Sequence, residues 1–375
     1  MKIGILGGTF NPIHNGHLWI ADEAIKRNKL DKVWIVPTYA TPGKHSLIEL
    51  ATGKQRFSMI KAAIKTHGNK QIQVKNFEIK IKHTSYTIDT IKMLTEKYPE
   101  YEFYLIMGDD AYLKIDSWKD SDKIKELAKF IVFRRNREVD HNFENIDYYN
   151  DFSVDISSTS VFKNAAWNHI PEGARKYIAK HMLYIKSLAY WKLPSVRYTH
   201  TLSVATHAKR LADKSSFCSP KLAYKAGLAH DIFKYENDRI MTNTIEAHPD
   251  YDIPPMKVFH SYYAAIWFTD VYKTKNKKFI SAIRKHTVAD GKMSKLDKII
   301  YVSDKIANDR KGSKARIFRK RAYEDLNSTF AQALFYSSEK VVEKGGYVHF
   351  KTKQALKKYW IYGKPQNKSI KSTKR

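Results

Sequence analysis

Gly8-Thr9-Phe10-Asn11-Pro12-Ile13-His14-Asn15-Gly16-His17 (residues 8–17, GTFNPIHNGH) follows a short apolar run, Ile3 to Leu6, and leads into Leu18, Ile20, Ala21, Ala24 and Ile25 at helical spacing. This pattern predicts a turn between a first strand and a first helix. Such a turn aims backbone N–H groups and the positive end of a helix dipole at one spot, which makes an anion site. Gly7 and Gly8 let a ligand approach the backbone closely. His14 and His17 stand at the same spot, where imidazoles can bind and offset the charge of a nucleotide triphosphate as pyrophosphate leaves. A plain tight turn with a surface histidine explains less, because HxGH behind Gly-Gly-Thr-Phe is far more specific than a lone glycine-rich loop.

Working outward, the first half alternates between strand-like and helix-like segments. Strands are expected at Lys2–Leu6, Lys32–Val36, Ile72–Phe77, Glu102–Met107, Phe130–Phe133 and Phe152–Ile156, with amphipathic stretches such as Lys54–Lys65 and Thr87–Tyr98 between them. That order implies a Rossmann-like α/β domain, a parallel sheet with helices on both faces and ligands at the carboxyl ends of its strands. The chemistry-bearing residues fall at those ends: His14 and His17 after the first strand, Lys44 after the second, and Gly108-Asp109-Asp110 after the fourth.

From about Glu172 the strand signals fade and apolar positions recur at helical spacing through 172–191, 196–212, 219–233, 260–271, 277–287, 293–309 and 318–342. The second half is therefore expected to be all-α. The stretch Lys186–Val196, with Pro194 and Ser195, marks the boundary, giving domains at 1–187 and 188–350 and a basic C-terminal extension at 351–375. No acid follows Glu343, and the end, KPQNKSIKSTKR, has the composition of a disordered tail.

Composition agrees with this division. A chain of 375 residues is long for one core. No apolar run approaches the roughly 20 residues a membrane span requires. The N-terminus is spent on a strand rather than a cleavable signal, and Cys218 is the sole cysteine. These features exclude intrachain disulfides and cysteine-cluster zinc sites and lead to an expected cytoplasmic location. The net charge of +29 attracts polyanions. Its lysines are spread along the chain, so anionic small substrates and compositional drift account for it better than nucleic-acid binding does. Self-association is left open.

The N-terminal motifs GGTFNPIHNGH, SYTIDT (Ser85–Thr90), FYLIMGDD (Phe103–Asp110) and DISST (Asp155–Thr159) occur in the order found in bacterial nicotinate-nucleotide adenylyltransferases, which residues 1–185 resemble. The resemblance implies transfer of AMP from ATP to nicotinate mononucleotide, with Mg2+ bridging phosphates rather than sitting in a protein cage. It implies that Gly7, Gly8, Thr9, Phe10, His14, His17, Lys44, Gly108 and Asp110 serve the nucleotide. Tyr86, Thr87 and Trp118 would hold the pyridine ring, and Ser157, Ser158 and Thr159 would offer donors to phosphate. Trp118 is also compatible with core packing, and Asp109 with capping the next helix. One departure stands out. The family's ISSTxxR arginine is Phe162 here, followed by Lys163, which lacks arginine's bidentate fork.

The helical half carries His200 in RYTHTLSVA, His230-Asp231 in LAHDIFK, His260 in VFHS, His286 in RKHT and Asp304 in YVSDKI. Each lies in an apolar helical segment, where an unpaired imidazole or carboxylate is costly. Metal ligation removes that cost. A histidine and aspartate set without cysteine suits iron foremost, with manganese or zinc as alternatives, as one or two divalent ions. These segments resemble the HD phosphohydrolases, and HDIFK with KHTVADGKMSKLDKIIYVSDKIANDR resembles the bacterial family that splits diadenosine tetraphosphate symmetrically into two ADP. The resemblance implies that Lys234 faces phosphate, and it leaves Arg310 between the phosphate pocket and the surface. A different HD nucleotidase, or a nucleic-acid-binding protein with a scaffold HD half, are the rival readings. The remaining histidines, among them His67, His207, His248 and His349, have no matching partners and are expected at the surface or in caps.

Overall fold

The alternating first half folds as β1 (Lys2–Gly8), α1 (Asn15–Asn28), β2 (Lys32–Pro37), α2 (Gly53–His67), β3 (Ile72–Val74), α3 (Phe77–Ile81), α4 (Thr87–Lys97), β4 (Glu102–Gly108), α5 (Asp109–Tyr112), α6 (Ser121–Leu127), β5 (Lys129–Arg134), β6 (Asp147–Ser153), α7 (Ser158–Lys163) and α8 (Glu172–His181). This computed structural model describes residues 1–39, 49–81, 86–135, 146–153, 156–215 and 218–362. It divides into two units, Met1–Tyr184 and Ile185–Arg375.

Six parallel strands form one sheet in the order β3-β2-β1-β4-β5-β6. Ile3, Ile5, Leu6, Phe103, Leu105 and Ile106 are all buried, the two-sided burial that covered parallel strands require. The strand order turns outward in both directions from β1 and β4, so their carboxyl ends, Gly8 and Gly108, flank the switch point where α/β sheets bind ligands.

The last strand lies at Asp147–Ser153, about five residues before the predicted Phe152–Ile156. Asp147, Asn150 and Asp151 mask its alternation. As an edge strand it is held by polar ties to α1: Arg27 Nη1 donates to Asp151 Oδ1 at 2.6 Å, and Asn28 Nδ2 to Asp147 Oδ2 at 2.6 Å. β3 stops at Val74, short of the predicted Phe77.

The second unit is helical throughout its described residues: α9 (Ile185–Lys192), α10 (Ser195–Asp213), α11 (Pro220–Ala229), α12 (Asp238–Glu246), α13 (Phe259–Asp270), α14 (Lys277–Lys285), α15 (Lys295–Ile306), α16 (Ser313–Arg321), α17 (Leu326–Glu343) and α18 (Phe350–Tyr359). The predicted helix 172–191 is broken at Met182–Tyr184, where Met182 takes φ +50° and Tyr184 φ +66°. Two helices escaped the periodicity. α12 buries only Met241 and Ile245, one turn apart, and starts on the Asn237 cap. α18 falls where a basic extension was expected, yet Ala355 and Tyr359 are buried, and Tyr359 Oη accepts from the Met293 amide at 3.0 Å. No described helix is long and apolar enough to cross a membrane.

Candidate active sites

A cavity of about 950 Å³ opens at the switch point of the sheet. It brings together Gly7, Gly8, Thr9, Phe10, His14, His17, Tyr86, Thr87, Gly108, Asp110, Trp118, Ser157, Ser158 and Thr159, so twelve residues of the nucleotide set and both histidines converge. Lys44, Ser85 and Asp155 lie outside the described residues. A Cβ on Gly7 would meet nothing within 4 Å, so that backbone faces open cavity. A shallower hollow of about 350 Å³ beside α2 and β3 carries none of these residues.

His14 caps α1, and its backbone N–H donates to His17 Nδ1 at 3.1 Å. In the neutral ring that bond leaves the proton on His17 Nε2, a free donor. The two rings stack at 3.6 Å. His14 Nδ1 is buried without a partner. Burial first, then the Arg135 guanidinium, lowers His14 to about 3. Burial and the neighbouring His14 hold His17 well below its ordinary value. In the empty site both rings are thus biased toward the neutral, hydrogen-bonding form.

Several supports were invisible in the sequence. Arg56 is buried and donates to the carbonyls of Ala51, Thr9, Thr38 and Tyr39, at 3.0, 2.7, 2.6 and 3.0 Å, pinning the turns after β1 and β2. Asn11 does the same on the other side, accepting from Ala51 N at 3.0 Å. Asp109 does not cap α5. Its Oδ1 accepts from Asp110 N at 2.8 Å and Arg135 N at 3.1 Å, tying the ends of β4 and β5, and Oδ2 is buried without a partner. Arg135 also reaches Asp110 Oδ2 at 3.2 Å and lines the cavity. The serines are partly engaged: Ser157 accepts from Ser160 N at 3.0 Å as the α7 cap, and Ser158 Oγ donates to Pro12 O at 3.0 Å. Trp118 both lines the cavity and packs on the core. Phe162 is fully buried against Trp167 and Tyr184 and does not line the cavity.

In the helical unit, His200 (α10), His230 and Asp231 (after α11), His260 (α13), His286 (after α14) and Asp304 (α15) are all buried. Their donor atoms converge. Asp231 Oδ1 lies 3.1 Å from His260 Nε2 and 3.3 Å from His286 Nε2, Asp231 Oδ2 lies 3.4 Å from His230 Nε2, and Asp304 Oδ1 lies 3.2 Å from His200 Nε2. Two ligand trios share Asp231: His200 with His230, and His260 with His286. His230 Nε2 is buried and lacks a hydrogen-bond partner, because Nδ1 already donates to Gly227 O at 2.7 Å. A buried lone pair among imidazoles and carboxylates is what a divalent ion satisfies, so the residue set fits the metal its sequence implied.

Burial lowers His260, to about 4, and also lowers His286, which favours the neutral form that a ligand requires. Burial also opposes a charge on His230, but the Asp231 carboxylate outweighs it and raises the group. Cations ring the cluster. Arg197 meets Asp231 Oδ2 at 3.1 Å, and Lys305 and Arg310 meet Asp304 at 2.8 and 2.7 Å. Arg310 therefore belongs to the site. Lys234 Nζ lies 3.3 Å from His260 Nδ1. His207 is buried rather than superficial, while His349, also buried, caps α18 as expected, its Nδ1 accepting from Lys351 N at 3.3 Å.

Comparison with known proteins matches both halves. The cytidylyltransferase-like family model covers residues 5–164 and the HD domain model residues 197–309. A Mycoplasma genitalium protein named nicotinate-nucleotide adenylyltransferase/Ap4A hydrolase is 33% identical over 316 residues, 83% of this chain and 88% of its own length. A Dictyoglomus turgidum nicotinate-nucleotide adenylyltransferase is 38% identical over 198 residues, 49% of this chain and 96% of its own. Among solved structures, an HD superfamily hydrolase of Clostridium acetobutylicum, described as involved in NAD metabolism, has a TM-score of 0.45 and 29% identity, covering 48% of this chain and 96% of its own. Carrying both domains in this order along most of its length, the chain belongs to the family of two-domain nicotinate-nucleotide adenylyltransferase/Ap4A hydrolases.

Proposed function

We propose that this chain is a bifunctional enzyme that adenylylates nicotinate mononucleotide with ATP and hydrolyses diadenosine tetraphosphate symmetrically to two ADP. In the first reaction a phosphate oxygen of the mononucleotide attacks the ATP α-phosphorus in line. The α–β phosphoanhydride bond breaks, giving deamido-NAD and pyrophosphate. Positioning and charge stabilisation suffice for this step. His17 Nε2–H, His14 and the first N–H groups of α1 bind the triphosphate, which arrives with Mg2+. Trp118, Tyr86 and Thr87 hold the pyridine ring, and Lys44 adds a point charge. Lys163 is exposed and does not line the cavity, so Arg135, which does line it, supplies a cation there in place of the family arginine.

In the second reaction His200, His230, Asp231, His260, His286 and Asp304 hold the divalent metal, with iron first and manganese or zinc as alternatives, and two adjoining trios have room for two ions. When bound, the metal supplies an activated water and Lewis-acid stabilisation at phosphorus. Lys234 stabilises charge developing on the departing ADP, and Arg197 and Arg310 bind the flanking phosphates.

The observation that carries the reading is that both motif sets, scattered over more than 100 residues each, converge within their own units on one cavity and one ligand cluster. The test uses the full chain. ATP, Mg2+ and nicotinate mononucleotide should yield deamido-NAD, and diadenosine tetraphosphate with Mn2+ or Fe2+ should yield ADP alone. AMP plus ATP, or turnover of mononucleotides only, would assign a different HD activity. No deamido-NAD would remove the first.

A further inference from the structure

Asp309, near the end of the KHTVADGKMSKLDKIIYVSDKIANDR segment, has no role assigned from sequence, yet both its carboxylate oxygens lie within hydrogen-bond distance of His200 Nδ1, at 2.8 and 2.9 Å. His200 Nε2 is thereby turned inward, 3.2 Å from Asp304 Oδ1. His230 and His286 reach the same polarity by another route. Each follows the last residue of a helix, and Nδ1 donates to the carbonyl three residues back, Gly227 at 2.7 Å and Ile283 at 2.6 Å. Helix C-termini leave those carbonyls without intrahelical partners, so the acceptor comes free. His200 stands inside the 19-residue helix α10, where the carbonyls are taken by the helical ladder. Its Nδ1 must find an acceptor elsewhere.

We propose that Asp309 is the positioning residue for His200: it accepts the Nδ1 proton, fixes the tautomer, and aims Nε2 at the divalent ion of the HD site. The inference rests on the metal-site reading given above. The loop that presents Asp309 is clamped on both sides. Asn308 N donates to Ser203 Oγ at 2.8 Å, and His207 holds Asn308 Oδ1 at 2.9 Å through Nε2 and Tyr323 Oη at 2.6 Å through Nδ1. Arg319 donates to the carbonyls of Ile306 and Ala307, both at 2.8 Å. His200, Ser203 and His207 share one face of α10, so the helix that carries the ligand also grips the loop that orients it. This gives buried His207 a purpose that its lack of a motif had hidden. A carboxylate on the distal nitrogen of a ligand imidazole raises its basicity as well as fixing its direction.

The experiment uses the full chain with two readouts: Mn2+ binding by titration, and the tautomer of His200 by long-range 1H–15N correlation on chelator-treated, histidine-labelled protein, assigned with His200→Gln. Asp309→Ala should weaken Mn2+ binding by about 10- to 100-fold and should mix the two His200 tautomers. Asp309→Asn keeps an acceptor, so it should retain the Nδ1–H tautomer and lose less than tenfold. The helical circular-dichroism signal of the same samples, and its urea unfolding, report that the helical unit is folded. Wild-type Mn2+ affinity together with an unchanged tautomer in Asp309→Ala overturns the inference. Failure of the wild-type chain to bind Mn2+, Fe2+ or Zn2+ overturns the metal-site reading instead, and the tautomer still decides what Asp309 does.

Discussion

Gly227 links the packing of the helical unit to its chemistry, and Gly227→Ala tests that link. A Cβ at this position would lie 2.6 Å from Ala205 Cα and 2.9 Å from Ala205 N. Those are backbone atoms of α10 and cannot rotate away. Reaching the 3.4 Å at which ordinary contact begins requires α11 to move off α10 by about 0.8 Å. α10 carries His200, and α11 leads directly into His230 and Asp231, whose spacing defines one ligand trio. Metal–ligand distances tolerate about 0.2 Å, so the shift is several times what the site can absorb. Overpacking of this kind costs about 1–3 kcal/mol, while replacing a helical glycine with alanine returns about 1 kcal/mol. The net loss of stability is therefore small, and the metal site is the more sensitive reporter. Mn2+ affinity and tetraphosphate hydrolysis should each fall at least tenfold. Adenylyl transfer, carried by the other unit, should stay at the wild-type level. Urea unfolding, Mn2+ titration and the two activity assays on one preparation decide it. Wild-type hydrolysis and metal affinity in Gly227→Ala would refute the claim that close helix approach sets the ligand spacing.

His14, held near 3 by burial and Arg135, has a folded pKa below its unfolded value of 6.5, so the unfolded chain binds the extra proton. Its contribution to stability is present above pH 6.5 and is lost as pH falls toward 3, on the order of 5 kcal/mol in full; acid unfolding of His14→Gln should show a shallower decline than the wild type. Phe162→Arg restores the family's residue but places a guanidinium in the pocket of Trp167 and Tyr184, so circular dichroism should show a loss of several kcal/mol with no gain in adenylyl transfer. Lys234→Ala should leave metal content unchanged and lower the turnover of diadenosine tetraphosphate about 100-fold, as measured by ADP release.

The sequence shows which residues do chemistry better than it shows what holds them. Motif residues at strand ends are legible because parallel sheets put ligands there, and HxGH, SYTIDT and GDD all meet at one cavity. The HD ligands are legible because buried histidines and aspartates at helical spacing demand partners. Arg56, Arg135 and Asp309 leave no comparable signal. Arg56 donates to four carbonyls from the two connections after β1 and β2, and only tertiary structure brings those connections together. β6 and α12 fail for a related reason: their stability comes from ties to α1 and from an Asn237 cap rather than from a sustained apolar period. Phe162 was visible as a departure, but its meaning required seeing that its side chain points into the core.

The net charge takes on a different sense once the sites are assembled. Arg135 stands at one cavity, and Arg197, Lys234, Lys305 and Arg310 stand around one pair of buried carboxylates. Every substrate of the proposed reactions is a polyanion, and a buried carboxylate pair left without these cations would be prohibitively costly. Under the proposed function the same basic groups would have two tasks: they compensate Asp231 and Asp304 in the fold, and they would present positive charge where phosphates arrive.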